Sequence, residues 1–294
     1  MRRARCSAWV RPMNERAGLR LFRVAPVLLL VVLAVAWQLP EQRWLRLSSS
    51  DPEVARQMTS TLDALPDEPL VLVGFDPDLG TYAEVRPTVR ALLADLLARD
   101  GRLAFVSLTA EGRALASAEI ARLGRGAANP TRLLDLGFIA GAEAGLVDLT
   151  RGVQLPGDEA DGSFARQVDA DGIDAFDAVA VIGGNDLGPR SWVEQVAPRI
   201  GEIPLVAVTP TVLLPEVQPY LAGGQLAAVL GTPRDGAAYR EGLDLGNLER
   251  LVDPTPPRSL PLLIGVLIAV AVLGQTLGSR LLEFLRAARA PAAG

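Results

Sequence analysis

The apolar positions of this chain fall into short, unbroken runs separated by helical patterns. The clearest opens at Pro69, PLVLVGFDPD, a continuously apolar stretch that stops in a glycine and two carboxylates at Asp76 and Asp78. A helical pattern follows from about Thr81 to Asp100, then a second apolar run, Leu103 to Leu108. Strand, helix and strand in that order make a βαβ unit. The pattern then repeats. It predicts a helix over 111–122, a weaker strand over 133–139 and a helix from Glu143 to about Thr150. A strand over 178–182 comes next, with a helix around 191–199. The last elements are a strand over 204–208, a helix over 213–221, a strand over 227–231 and a helix over 234–242. Residues 151–175, rich in Asp and Gly and without periodicity, read as a long loop. Strands apolar on both faces imply a parallel sheet covered on both sides. The expected fold class is α/β, a Rossmann-like, doubly wound, mainly parallel sheet of about six strands, taken here in the order 3-2-1-4-5-6.

Two longer apolar segments flank this domain. Val24 to Trp37 is uncharged and extends through Pro40, short of the roughly 20 residues of a bilayer span. Seven arginines precede it. It reads as a signal peptide, with Ala34-Val35-Ala36 resembling a cleavage site, or as an uncleaved anchor with Trp37 and Trp44 at the interface. The 23-residue basic segment is long for a signal peptide and favours the anchor. Leu260 to Gly274, continued by Gln275 to Ser279, is a second candidate span with no polar face. Arginine dominates the outer side of both segments, so the positive-inside rule puts both termini in the cytoplasm. The expected organisation is a basic cytoplasmic N-terminus (1–23), a transmembrane helix or signal peptide (24–40), an extracytoplasmic α/β domain (47–253), a transmembrane helix (260–279) and a cytoplasmic tail (280–294).

Composition narrows the chemistry. The 294-residue chain has no histidine and no lysine, and its one cysteine is Cys6. Histidine-assisted nucleophiles, His/Cys zinc sites, Schiff-base lysines and the lysine-bearing phosphate loop are therefore excluded. Carboxylates, hydroxyls, arginine, backbone amides and oxygen-ligated metals remain. Between Leu47 and Pro257 stand 31 acids and 16 arginines, a net of −15 that argues against a nucleic-acid partner.

In doubly wound sheets, ligands bind outside the carboxyl ends of the strands, where the strand order reverses. The residues converging there are Gly74, Asp76, Asp78, Thr109, Asn185, Asp186 and Thr209, the last six being the candidate ligand-binding residues. Asp76, Asp78 and Asp186 form an oxygen donor set of the kind Mg²⁺ or Ca²⁺ prefers, and paired carboxylates also do acid/base work. The plainer reading is that Asp, Asn, Gly and Thr are ordinary turn and cap residues after strands. Gly183-Gly184-Asn185-Asp186-Leu187-Gly188 lacks the dinucleotide glycine spacing. Gly137 and Gly141 offer either an anion-binding helix start or a tight turn. The acids Asp158, Glu159, Asp161, Asp169, Asp171, Asp174 and Asp177 lack the EF-hand order and read as a solvated loop. Trp192 is expected to be half-buried on the sheet.

The segments GFDPDLGTYAEVRP near residue 74, FVSLTAEG near 105, LGFIAGAEAGL near 136 and VIGGNDLGPRSWVEQVAPR near 181 resemble a group of uncharacterised bacterial membrane proteins. That group carries a Rossmann-like domain between two transmembrane segments. The resemblance covers most of residues 65–242 and implies fold and topology, with no activity attached. The expected function is a non-catalytic, membrane-anchored extracytoplasmic module that binds a partner protein or small ligand, within an envelope or transport complex. Its expected surroundings are the lipid bilayer and a membrane-protein or envelope partner, with no obligate cofactor. The alternative is a carboxylate- or Mg/Ca-dependent hydrolase at the strand ends, and a third reading is a structural subunit that only docks partners.

Overall fold

The computed structural model describes residues 52–126, 130–152, 163–253, 264–265 and 268. The chain divides into one unit of residues 49–255 and a second of 1–48 with 256–294. Of the second unit only positions 264, 265 and 268 are described. The basic N-terminus, the apolar run 24–40, nearly all of 260–279 and the tail 280–294 thus lie outside the described residues. Among the described residues no helix is long and apolar enough to cross a membrane.

The 49–255 unit is α/β. After helix α1 (Pro52–Asp63), strands and helices alternate: β1 (Leu70–Asp76), α2 (Leu79–Ala98), β2 (Arg102–Ser107), α3 (Ala110–Gly126) and β3 (Leu133–Phe138). Helices α4 (Glu143–Arg151) and α5 (Ser163–Asp171) lead to β4 (Ala178–Gly183) and α6 (Pro189–Gln195). The remaining elements are β5 (Leu205–Val208), α7 (Leu214–Ala222), β6 (Ala228–Leu230), α8 (Pro233–Glu241) and a closing 3₁₀ segment, Gly246–Leu251. The six strands lie in the order β3-β2-β1-β4-β5-β6, the order assumed from the sequence. Every neighbouring pair is parallel.

Strand alternation divides the core in two. Val71, Val73 and Phe75 of β1 face α1, α2, α3, α8 and the closing 3₁₀ segment, and meet Leu92, Leu96 and Tyr239. Leu70 and Leu72 face α4 to α7 and meet Leu149, Phe164, Trp192 and Val217. Both faces are covered, which is why the strands read as unbroken apolar runs.

Two expectations need correction. The stretch 151–175 is not one long loop: residues 163–171 are helical and Gly172–Ala175 form a 3₁₀ turn. Phe164, Ala165 and Val168, spaced so as to share one helical side, bury in the second core despite the surrounding acids. Of the loop acids, Asp158, Glu159 and Asp161 lie outside the described residues. Asp177, by contrast, is structural, its Oδ2 accepting a hydrogen bond from the Leu70 amide at 2.7 Å.

The second correction is Trp192, which is fully buried (0 % exposed). A Cβ at Gly74 would stand 2.3 Å from its Cζ2 and 2.6 Å from its Cε2, so the indole lies flat on β1 where a side chain is missing. Gly137 (φ +82°) sits at the register shift of β3 against β2, and Gly141 (φ +101°) turns the chain into α4. Their spacing is that of two left-handed turn positions.

Candidate functional site

β1 ends with Asp76 paired in register to Gly183 of β4. The chain then turns through Pro77 into α2, and β4 turns through Gly184 and Asn185 toward α6. These two departures leave opposite faces of the sheet and open the crevice at the reversal of strand order.

Asp76 forms its floor, with only 1 % of its surface exposed. Its Oδ1 accepts three hydrogen bonds, from the Leu108 amide (2.8 Å), the Thr109 amide (2.9 Å) and the Thr109 hydroxyl (3.0 Å). Its backbone carbonyl accepts from Asn185 Nδ2 (2.9 Å) and from the Gly184 amide (3.4 Å). Oδ2 is buried and has no hydrogen-bond partner. Burial pushes the carboxyl up to about 6, against the opposing effect of the Leu108 and Thr109 donors. Thr109 serves twice, since its hydroxyl also accepts from the Gly112 amide (2.9 Å) in the first turn of α3.

Asp78 is the N-cap of α2. Its Oδ1 accepts from the Thr81 amide (2.9 Å) and its Oδ2 from the Thr81 hydroxyl (2.7 Å). Its slight burial pushes upward, but the Thr81 donors outweigh it and hold the carboxyl below its ordinary value. The Gly184 backbone passes over this cap: a Cβ there would meet Asp78 Oδ2 at 2.9 Å. Asn185 closes an Asx turn, its Oδ1 accepting from the Leu187 amide (2.9 Å).

Asp186 differs from the others. Its carbonyl accepts from the Ser191 hydroxyl at 2.6 Å, and the residue is exposed. Thr209 follows the in-register pair Ile182–Val208, which sets it level with Gly183, about 10 Å from Asp76 across two strand spacings. It is fully buried, and its Oγ1 has no partner. The Trp192 Nε1 beneath the crevice is also buried and unpartnered.

The sequence-derived residues therefore separate into three groups. Asp76, Thr109 and Asn185 are joined by hydrogen bonds at the end of β1, and Asp78 caps α2 beside the Gly184 backbone. Thr209 contributes a free buried hydroxyl on the far side, and Asp186 stands at the rim. Asp76, Asp78 and Asp186 do not assemble into a three-carboxylate shell: among the described residues no three acids lie close enough to share a metal ion.

Glu111 plays a part that sequence spacing does not reveal. Its Oε1 accepts from the Leu79 amide at 2.7 Å, so the first turn of α3 caps the first turn of α2 across 32 residues. Glu84 likewise reaches the turn after β5, accepting from the Thr211 amide (3.0 Å) and hydroxyl (2.7 Å), which hold it below its ordinary value. Among the described residues none of Asp76, Asp78, Glu84, Glu111 and Asp186 pairs with an arginine.

The acidity bears on what the crevice accepts. In a dinucleotide site the amides at the start of the helix after β1 cradle a pyrophosphate. Here Asp78 and Glu111 already occupy two of those amides with negative charge. An added phosphate meets carboxylates where it needs donors. No protein-family model, curated protein or solved structure matches this chain.

Proposed function

We propose that the 49–255 unit is a non-catalytic, extracytoplasmic binding module, anchored in the membrane by its flanking apolar segments and working within an envelope or transport complex. Its crevice takes a neutral or cationic polar group, either a small ligand or a side chain presented by a partner protein. The observation that carries this reading is the occupation of the α2 amides by Asp78 and Glu111, beside a buried Asp76 Oδ2 without a partner. The first feature disfavours phosphates. The second leaves an acceptor at the crevice floor for a donor from outside, since a buried polar atom without a partner costs about 1–3 kcal/mol.

The test is a thermal-shift titration of the full chain in neutral detergent with polyols, amino sugars, polyamines, divalent cations and nucleotides. A saturable rise with a donor-bearing compound, lost in Asp76→Asn and weakened in Thr209→Val, supports the reading. A nucleotide shift that depends on Asp76 or Asp78 overturns it.

One observation favours a second reading, a carboxylate-dependent hydrolase with or without Mg²⁺ or Ca²⁺. A buried carboxyl pushed up to about 6 at the carboxyl ends of the strands suits a general acid or base. Turnover with an apparent pKa near that value, abolished in Asp76→Asn, distinguishes the enzyme from the binding module.

A further inference from the structure

On the face of the sheet covered by α2 and α3, a pocket of about 300 Å³ is lined by Arg90, Arg122, Arg125, Arg250, Leu251, Val252 and Asp253. Four guanidinium groups around one cavity are unexpected in a domain with a net charge of −15. Two of them have structural duties. Arg90 donates through Nε (3.0 Å) and Nη2 (2.6 Å) to Glu119 Oε1 and through Nη1 (2.5 Å) to Asp253 Oδ1. Arg122 donates through Nε to Glu119 Oε2 (2.6 Å) and through Nη1 to the Leu251 carbonyl (2.7 Å).

Those duties leave donors over. Arg122 is fixed by its first two nitrogens, and its Nη2 is buried without any partner. Arg125 and Arg250 are exposed and make no ion pair among the described residues. Holding the 3₁₀ segment in place accounts for Arg90 and for half of Arg122, but not for these three groups. Acids are abundant in the domain, yet Asp253 is the sole acid among the lining residues, with Glu119 behind them.

We propose that this pocket binds a phosphate group. Two exposed guanidiniums, Arg125 and Arg250, beside an arginine fixed in place at Arg122, match the charge and donor chemistry that phosphate oxygens require. The chemistry has two sources, a soluble phosphate compound or an anionic lipid headgroup. The second rests on the anchoring reading above, in which only six residues of sequence separate Asp253 from the apolar run that begins at Leu260. The site is independent of the acidic crevice, because its donors come from the flanks of α2 and α3 and from the closing 3₁₀ segment.

The experiment uses the full chain in neutral detergent, titrated with inorganic phosphate. In a second arm the chain is reconstituted in nanodiscs of phosphatidylcholine with or without phosphatidylglycerol, and melting is followed in both arms. The variant is Arg125→Gln/Arg250→Gln, which leaves the Glu119 and Asp253 contacts intact. The charge-matched control is Arg199→Gln/Arg234→Gln. A saturable phosphate shift in the wild type and control, weakened at least about tenfold in Arg125→Gln/Arg250→Gln, supports a soluble ligand. Stabilisation by phosphatidylglycerol alone, lost in the same variant, supports a headgroup. No shift in either arm, or one the variant retains in full, overturns the proposal. An Asp76-dependent shift would bear on the crevice and leave this pocket unaffected, so the two failures are separable.

Discussion

Gly112 and Asp76 are in contact across the end of the sheet: a Cβ at Gly112 would lie 2.7 Å from Asp76 Oδ1 and 2.4 Å from the Phe75 carbonyl oxygen. The first turn of α3 comes this close because its Thr109 cap and the carboxylate it donates to share one small space. Neither neighbour is the free end of a flexible chain, since one oxygen is backbone and the other is held by three donors. Gly112→Ala must therefore displace α3 from β1. We expect a loss of about 1–3 kcal/mol in chemical denaturation, the range typical of overpacking, with Ala118→Ser on the exposed side of α3 as an unaffected control.

The buried Asp76 makes stability depend on pH in an unusual direction. Its carboxyl lies at about 6 in the folded chain against an ordinary 3.8, so the folded state holds the proton more tightly than the unfolded state. The resulting penalty is absent below about pH 4, grows as pH rises from there to 6, and is complete above, where it amounts to about 2–3 kcal/mol. Asp78, Glu84, Glu119 and Asp253 are shifted downward and act oppositely, losing their contribution as the solution turns acid. The difference between wild type and Asp76→Asn isolates the one group. Asparagine can keep the three donors on Oδ1, and melting curves from pH 4.5 to 7.5 should show its advantage growing with pH. A constant difference would place the Asp76 titration elsewhere.

The sheet was legible because a parallel strand buried on both faces has no polar register to conceal it. The Asp76, Asp78, Thr109 and Asn185 group was legible because residues that end strands and start helices in this fold meet by topology. What spans the sequence was not legible. Glu111 capping Leu79, and Arg90 reaching both Glu119 and Asp253, depend on helix packing that neither spacing nor composition encodes. Helix α5 was obscured by its own acids, which face outward while Phe164 and Val168 carry the fold. The full burial of Trp192 is hidden from local sequence because its cavity is supplied by Gly74, 118 positions earlier.

Glu119 is a further buried charge whose loss should be costly. It is 3 % exposed and accepts from the Tyr82 hydroxyl (2.8 Å) as well as from Arg90 and Arg122. Burial pushes the carboxyl upward, but the two guanidiniums prevail and hold it below its ordinary value. Glu119→Gln leaves two arginines facing a neutral amide, and we expect a loss of about 3–5 kcal/mol by denaturant titration. Arg56→Gln, which removes an exposed pair with Glu53, should cost less than about 1 kcal/mol. Equal losses in the two variants would mean that the Glu119 cluster is solvated in solution.

The Gly74–Trp192 contact has an optical readout. Trp192 is the only tryptophan between residues 49 and 255, the others being Trp9, Trp37 and Trp44. A fragment of that span should therefore emit from one fully buried indole, with a maximum blue-shifted from that of tryptophan in water. Gly74→Ala sets a Cβ 2.3 Å from the ring, which must lift α6 from the sheet or expel the indole. We expect a red shift together with a loss of about 1–3 kcal/mol. Asp186→Ala, at the exposed rim of the same turn, should leave both emission and stability unchanged. If Gly74→Ala keeps the native emission, the indole does not rest on β1, and the unpaired Nε1 no longer belongs to the floor of the crevice.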